Sequence, residues 1–180
     1  MERVLQDVEL EGKQRLQDFT VKMFASNFSN RELKAIFLAE KTAELAHAGQ
    51  VDKSGHAYIE HPTAVATMVY EDGGSAAQVA IALLHDTVED TTVTVDNIRE
   101  WFGNHVAEAV DAISRRNDET LRQYLTRMAV NDDALFVKHR DIRHNTSSDR
   151  LAQLDEETQR HLRFKYERAI KILAGLAENS

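Results

Sequence analysis

Val79-Ala80-Ile81-Ala82-Leu83-Leu84-His85-Asp86-Thr87-Val88-Glu89-Asp90-Thr91 is the stretch on which the reading of this chain turns. Its first six residues are apolar and helix-like. At 100° per residue, the side chains of His85, Asp86, Glu89 and Asp90 then fall within an arc of roughly 140° on a helix. Imidazoles and carboxylates gathered at the end of a buried helix are costly unless a metal or a substrate compensates them. The reading therefore starts from a metal site.

Outward from that stretch the chain reads as helices. It holds one proline and seven glycines, with no alternating Val/Ile/Thr runs between turns, which favours an all-α fold. Residues 1–25 carry one or two helices, and Ser26 to Asn30 break them. Asn30 is the expected cap of a helix ending at Ala48-Gly49. His61-Pro62 opens the next helix and Gly73-Gly74 closes it. Ser75 caps the helix bearing the opening stretch, and further helices are expected within 92–102, 106–113, 118–130, 132–146 and 156–177. The expectation is one compact bundle of about eight to ten helices, with residues 1–28 an N-terminal helical extension and 29–180 the main domain. Trp101-Phe102 reads as core packing, and His56, His105 and His161 receive no role.

Composition narrows the chemistry. With 180 residues the chain can bury roughly 70 % of its unfolded surface as a single domain. Hydrophobic content of 42 % and charged content of 29 % describe a globular protein. No run approaches the ~20 apolar residues of a membrane span, and the N-terminus lacks an apolar signal core, so a cytoplasmic location and no membrane partner are expected. The absence of cysteine restricts any metal to nitrogen and oxygen donors. A net charge of −8 argues against binding nucleic acid over the whole surface. One local cluster, Lys138-His139-Arg140-Asp141-Ile142-Arg143-His144, concentrates cations that suit a phosphate.

Three separated places supply metal-ligand candidates: His61, His85-Asp86 and Asp141. Two imidazoles and two carboxylates suit a divalent first-row ion such as Mn2+, Fe2+ or Zn2+ with positions left for water. A metal so bound acidifies its water and polarises a phosphoryl oxygen, as phosphoester hydrolysis requires.

His61…His85-Asp86…Asp141 resembles the motif of the HD-domain phosphohydrolases. Ala46-His47-Ala48-Gly49-Gln50, Lys53-Ser54-Gly55, Tyr58-Ile59-Glu60-His61-Pro62 and Leu83 to Thr91 narrow the resemblance to alarmone hydrolases, the hydrolase half of the stringent-response enzymes. The likeness runs over about residues 32–175. It implies that His61, His85, Asp86 and Asp141 hold manganese and that Glu89 and Asp90 orient or activate the attacking water. It also implies that Lys53, Ser54, Tyr58, Lys138 and Asn145 meet the substrate. The function implied is guanosine-3′,5′-bis(diphosphate) 3′-pyrophosphohydrolase, with a phosphorylated nucleotide as partner; a homodimer is compatible with it.

The chain departs from the resemblance at two places. Asp52 stands where such enzymes carry a basic residue before the lysine of the substrate loop. His139-Arg140 and Ile142-Arg143 flank Asp141 in place of an apolar-alanine pair and an arginine. Arg140, assigned to substrate binding, is a candidate replacement cation, as are Arg143 and His144. Two alternatives stay open: hydrolysis of another nucleotide or phosphorylated metabolite, and a regulatory module that binds a nucleotide without cleaving it.

Overall fold

Six successive apolar residues, Val79 to Leu84, leave a helix no polar face to turn to water, so its neighbours must wrap it on every side. A computed structural model, which describes residues 14–178, shows this arrangement. Helix α1 passes through residues 14–24, followed by α2 (Asn30–Ala46), α3 (Glu60–Glu71) and α4 (Ala76–Leu84). The short α5 (Thr87–Asp90) leads to α6 (Val95–Phe102), α7 (Asn104–Ile113) and α8 (Leu121–Met128). Then come α9 (Asp132–Asn145), the short α10 (Ser148–Leu151) and the long α11 (Glu156–Ala177). Helix α4 touches α2, α3, α7 and α9, and its residues from Val79 to Leu84 are all buried. At about 1.5–3 kcal/mol for each large apolar side chain removed from water, this central helix anchors the bundle. Among the described residues there is no strand, only an isolated antiparallel bridge between Val51 and Ala57. No helix among them is long and apolar enough to cross a membrane.

The helix ends follow local chemistry. Ser29 caps α2 in a reciprocal box with Glu32, so Asn30 is the first helical residue rather than the cap. Ser75 with Gln78 starts α4, Thr94 with Asn97 starts α6, and Thr120 with Gln123 starts α8 in the same way. Gly73 takes φ +80° just past α3, a backbone angle that favours glycine.

Three further expectations change. The opening stretch is not one continuous helix: α4 ends at Leu84, His85 and Asp86 form a turn, and α5 starts again at Thr87. Thr87 Oγ1 donates to the Leu84 carbonyl at 2.7 Å, satisfying an end group that the broken helix would leave bare. Trp101 is 46 % exposed rather than packed in the core. His105 is not solitary, because its Nε2 lies 3.0 Å from Asp133 Oδ2.

Helix α1 belongs to the same core. Phe19 and Met23 are fully enclosed with residues of α2, α3 and α4. The part of the proposed extension before residue 14 lies outside the described residues.

Candidate active site

The break after α4 aims the functional groups. His85 Nδ1 donates to the Ala82 carbonyl at 2.7 Å, which turns Nε2 toward the carboxylates of Asp86 and Asp141. His85 is 2 % exposed, and among the described residues its Nε2 has no hydrogen-bond partner. On α3, His61 sits one residue into the helix, with its Nδ1 2.8 Å from His144 Nδ1 of α9. Its Nε2 is thereby turned inward, 3.2 Å from Asp141 Oδ1 and 3.5 Å from Asp86 Oδ2. His85 Nε2 lies 3.2 Å from Asp86 Oδ2 and 3.9 Å from Asp141 Oδ1.

Four donor atoms from three elements thus converge. Ligands each about 2.1 Å from a common ion, at angles of 90–110°, would lie roughly 3.0–3.5 Å apart. The His61–Asp86, His61–Asp141 and His85–Asp86 spacings match this, and His85–Asp141 is wider. His61, His85 and Asp86 form a group able to hold a divalent ion, with Asp141 beside it, and the all N/O donor set fits a first-row metal.

The electrostatics agree. Burial disfavours a charged His85, yet the carboxylates of Asp86 and Asp141 outweigh it and raise its pKa to about 9. Burial likewise pushes Asp86 and Asp141 upward. For Asp86 the positive charge of His85 prevails, and for Asp141 the Lys138 ammonium and the His61 hydrogen bond prevail, so both lie below the usual carboxylate range. The pocket holds fixed negative charge and favours a cation within it.

Further contacts fix these side chains. Lys138 Nζ donates to Asp141 Oδ2 at 2.8 Å, and Asn145 Nδ2 donates to Asp141 Oδ1 at 2.5 Å. Tyr58 Oη lies 2.8 Å from Asp86 Oδ2 and 3.2 Å from Asp90 Oδ2, donating its one proton between them. His47 stacks on Tyr58 with ring centroids 4.6 Å apart and contacts Gln50 Oε1, whose amide in turn donates to the Asp90 carbonyl. Glu89 accepts the Arg115 backbone N–H at 2.8 Å; burial, the largest influence, raises its pKa.

All but one of the expected site residues line a single cavity of about 350 Å3. His61, His85, Asp86 and Asp141 meet there with Glu89 and Asp90 beside them. Lys53, Ser54, Tyr58, Lys138 and Asn145 face the same space.

Arg140 is the exception. Positions 138, 141 and 145 share one face of α9, while 136, 140 and 143 lie on another. Arg140 Nε therefore donates to Asp72 Oδ2 at 2.8 Å and its guanidinium stacks on Phe136 at 3.5 Å from the ring centroid. Arg143 joins it on Asp72 at 2.9 Å. Nor does His144 supply a cation: burial first, then the charges of His61 and Arg150, lower its pKa to about 3.

Sequence reasoning missed Arg150, Lys165 and Tyr166, which also line the cavity. Arg150 Nη1 lies 3.2 Å from Asp52 Oδ2, with the Asp52 side chain only 7 % exposed. Asp52 Oδ1 accepts the backbone N–H groups of Ser54 at 2.8 Å and His56 at 3.0 Å. Asp52 is therefore a turn-former whose charge is answered by an arginine nearly a hundred residues away, a pairing without a local signal.

A family model described as HD domain matches residues 39–162. The chain is 31 % identical over 159 residues to a probable GTP pyrophosphokinase of Mycobacterium leprae, covering 83 % of this chain and 20 % of that protein. It is 34 % identical over 127 residues to a probable guanosine-3′,5′-bis(diphosphate) 3′-pyrophosphohydrolase of Synechocystis, covering 64 % and 16 %. The chain spans about a fifth of the length of the curated relatives it matches. A solved structure described as a metazoan ortholog of SpoT that hydrolyzes ppGpp superposes with a TM-score of 0.69 at 20 % identity, covering 83 % of this chain and 89 % of that one. This likeness shows the fold. With the family model spanning well over half its length, the chain belongs to the HD-domain family.

Proposed function

We propose that this chain is a metal-dependent phosphohydrolase that removes the 3′-diphosphate of guanosine 3′,5′-bis(diphosphate), with manganese as its ion. The observation that carries the reading is the convergence of His61, His85, Asp86 and Asp141 on the cavity that also holds Glu89, Asp90, Lys53 and Lys165. The names of the Synechocystis relative and the metazoan structure supply the substrate.

A divalent ion held by the four ligands would acidify water and polarise a phosphoryl oxygen. Glu89 takes the proton of the attacking water, since burial raises its affinity for one toward the range where a general base is effective. Asp90, bound to Tyr58, orients the water and keeps the base and metal sites in register. Lys138 steadies Asp141 and brings positive charge to the phosphoryl oxygens from the cavity wall. Lys53 and Ser54 bind the substrate from the 51–57 loop. The described part of the extension, residues 14–28, acts as a layer of this domain, supported by the burial of Phe19 and Met23.

Manganese-loaded protein incubated with a nucleotide panel that includes the alarmone tests the reading. Release of pyrophosphate from guanosine 3′,5′-bis(diphosphate), lost in both His85→Ala and Asp86→Ala, is the expected result. Cleavage of a different compound alone would transfer the same chemistry to another nucleotide. Tight nucleotide binding without product over hours would point instead to a regulatory module.

A further inference from the structure

The cavity carries four cationic side chains: Lys53, Lys138, Arg150 and Lys165. Two are already answered, Lys138 by Asp141 at 2.8 Å and Arg150 by Asp52 at 3.2 Å. Among the described residues no carboxylate lies within ion-pair distance of Lys53 or Lys165. Lys53 comes from the loop that Asp52 pins, and Lys165 from α11, where its Nζ sits 5.2 Å from the Tyr166 ring centroid. The cavity wall built by this loop and α11 is therefore distinct from the wall of α3, α4, α5 and α9 that holds the ligand set.

Lys165 is exposed as a whole, yet desolvation of its amine, followed by the Lys138 and Lys53 charges, lowers its pKa. Asp141 and Glu89 act on it in the opposite sense. These influences mark it as a member of the same electrostatic neighbourhood as the ligand set. Two cations left unpaired around one cavity repel each other until an anion enters. Leu154 and Leu162 line the space as well and offer apolar contact to a base or sugar.

We infer that Lys53 and Lys165 form a second anion subsite, which grips a phosphate or diphosphate of the substrate other than the one placed at His61, His85, Asp86 and Asp141. The substrate is then an ester with two separate phosphoanionic groups, and the lysines read the one that is not cleaved. Arg150, backed by Asp52, stiffens the loop beneath Lys53. This deepens the hydrolase reading, and its kinetic arm rests on that reading; its binding arm does not.

The binding arm titrates inorganic pyrophosphate into the manganese-loaded full chain by calorimetry. Wild type, Lys53→Met, Lys165→Met and a control, Lys34→Met on α2 outside the cavity, are compared, with circular dichroism to confirm folding. Loss of one charge-assisted contact predicts pyrophosphate binding weakened roughly 10-fold in each cavity variant and unchanged in the control. The wild-type affinity should also fall as salt is raised. Equal binding by wild type and both cavity variants would mean that the probe meets only the metal, and would overturn the subsite.

The kinetic arm compares guanosine 3′,5′-bis(diphosphate) with guanosine 3′-diphosphate bearing a free 5′-hydroxyl. Lys165→Met should raise KM about 10-fold for the first compound with kcat little changed, and leave KM for the second as in wild type. A rise in KM of equal size for both compounds would also overturn the subsite. If wild type turns over neither compound while pyrophosphate binding still depends on the two lysines, the hydrolase reading fails and the subsite stands.

Discussion

His144 Nδ1 lies 2.8 Å from His61 Nδ1, with the two rings stacked at 28° and 4.9 Å between centroids. His144 is neutral, its pKa being held near 3 chiefly by burial. It can therefore accept the Nδ1 proton of His61 and leave Nε2 of His61 free for a metal. Groups that orient a ligand in this way typically contribute 10–100-fold to metal affinity. His144→Phe, which keeps a ring in the stack but not the acceptor, should weaken manganese binding by about that factor. Competition with a fluorescent chelator measures it, and an unchanged affinity would remove His144 from the positioning role.

Glu89, the proposed general base, should set the acid side of the pH profile. Burial, with help from the Asp86 and Asp90 charges, raises its pKa against the opposing Arg115 N–H and Lys138. A base works only when ionised, so activity should appear at a pH above the ordinary glutamate value of about 4.3 and be lost as pH falls through the raised pKa. Glu89→Gln should cut kcat by on the order of 100-fold or more and flatten that limb. The check is the pH dependence of kcat/KM at saturating manganese. An acid limb that survives in Glu89→Gln would assign the proton to another group.

Arg127 ties down the segment that holds Glu89. Its guanidinium donates to the carbonyls of Asp111 and Ala112 at 3.1 Å, to that of Ser114 at 2.9 Å, and to Glu119 at 2.6 and 2.9 Å. The next residue, Arg115, offers its N–H to Glu89. Arg127→Met should cost on the order of 2–4 kcal/mol, since several charge-assisted bonds are lost at once. The Arg127 hydrogen bond, the largest influence, lowers the Glu119 pKa to about 2. That share of the stability is complete above the unfolded value of about 4.3 and disappears as pH falls toward 2. Urea unfolding of wild type and variant should converge across that window; a gap independent of pH would exclude Glu119 as the partner that matters.

What could be read from the sequence was local. The apolar run Val79 to Leu84 announced a central helix because its pattern needs no partner to be visible. The meeting of His61, His85, Asp86 and Asp141 at one cavity could be anticipated because each sits in a short motif, and Ser75 and Pro62 marked helix starts by rules acting within four residues. The turn at His85-Asp86 was not legible: both residues keep right-handed helical angles, and the break depends on side chains that bond back to Ala82 and Leu84. Arg140 was misplaced because a basic run beside Asp141 says nothing of which face of α9 each residue takes. Arg150 and Lys165 were missed since only folding brings α10 and α11 to the 51–57 loop.

The substrate loop gives the most discriminating test. By sequence, Asp52 is the defect in the site, and Asp52→Arg would be its repair. The structure predicts the opposite. Asp52 Oδ1 accepts two backbone N–H groups that shape the turn, and Oδ2 pairs with Arg150. Arginine at this position removes both acceptors, leaves the Ser54 and His56 amides without their partner, and sets two guanidiniums against each other. Loss of a charged acceptor from backbone donors costs about 1–3 kcal/mol, here concentrated on a loop that presents Lys53 and Ser54. Asp52→Arg should therefore raise KM by about 10-fold or more and abolish hydrogen-exchange protection at the Ser54 and His56 amides. Asp52→Asn keeps an oxygen for those amides and gives up only the ion pair, so its loop stays protected and its KM rises less. An Asp52→Arg variant with KM below that of wild type would show that the loop wants a cation at this position more than it needs the turn.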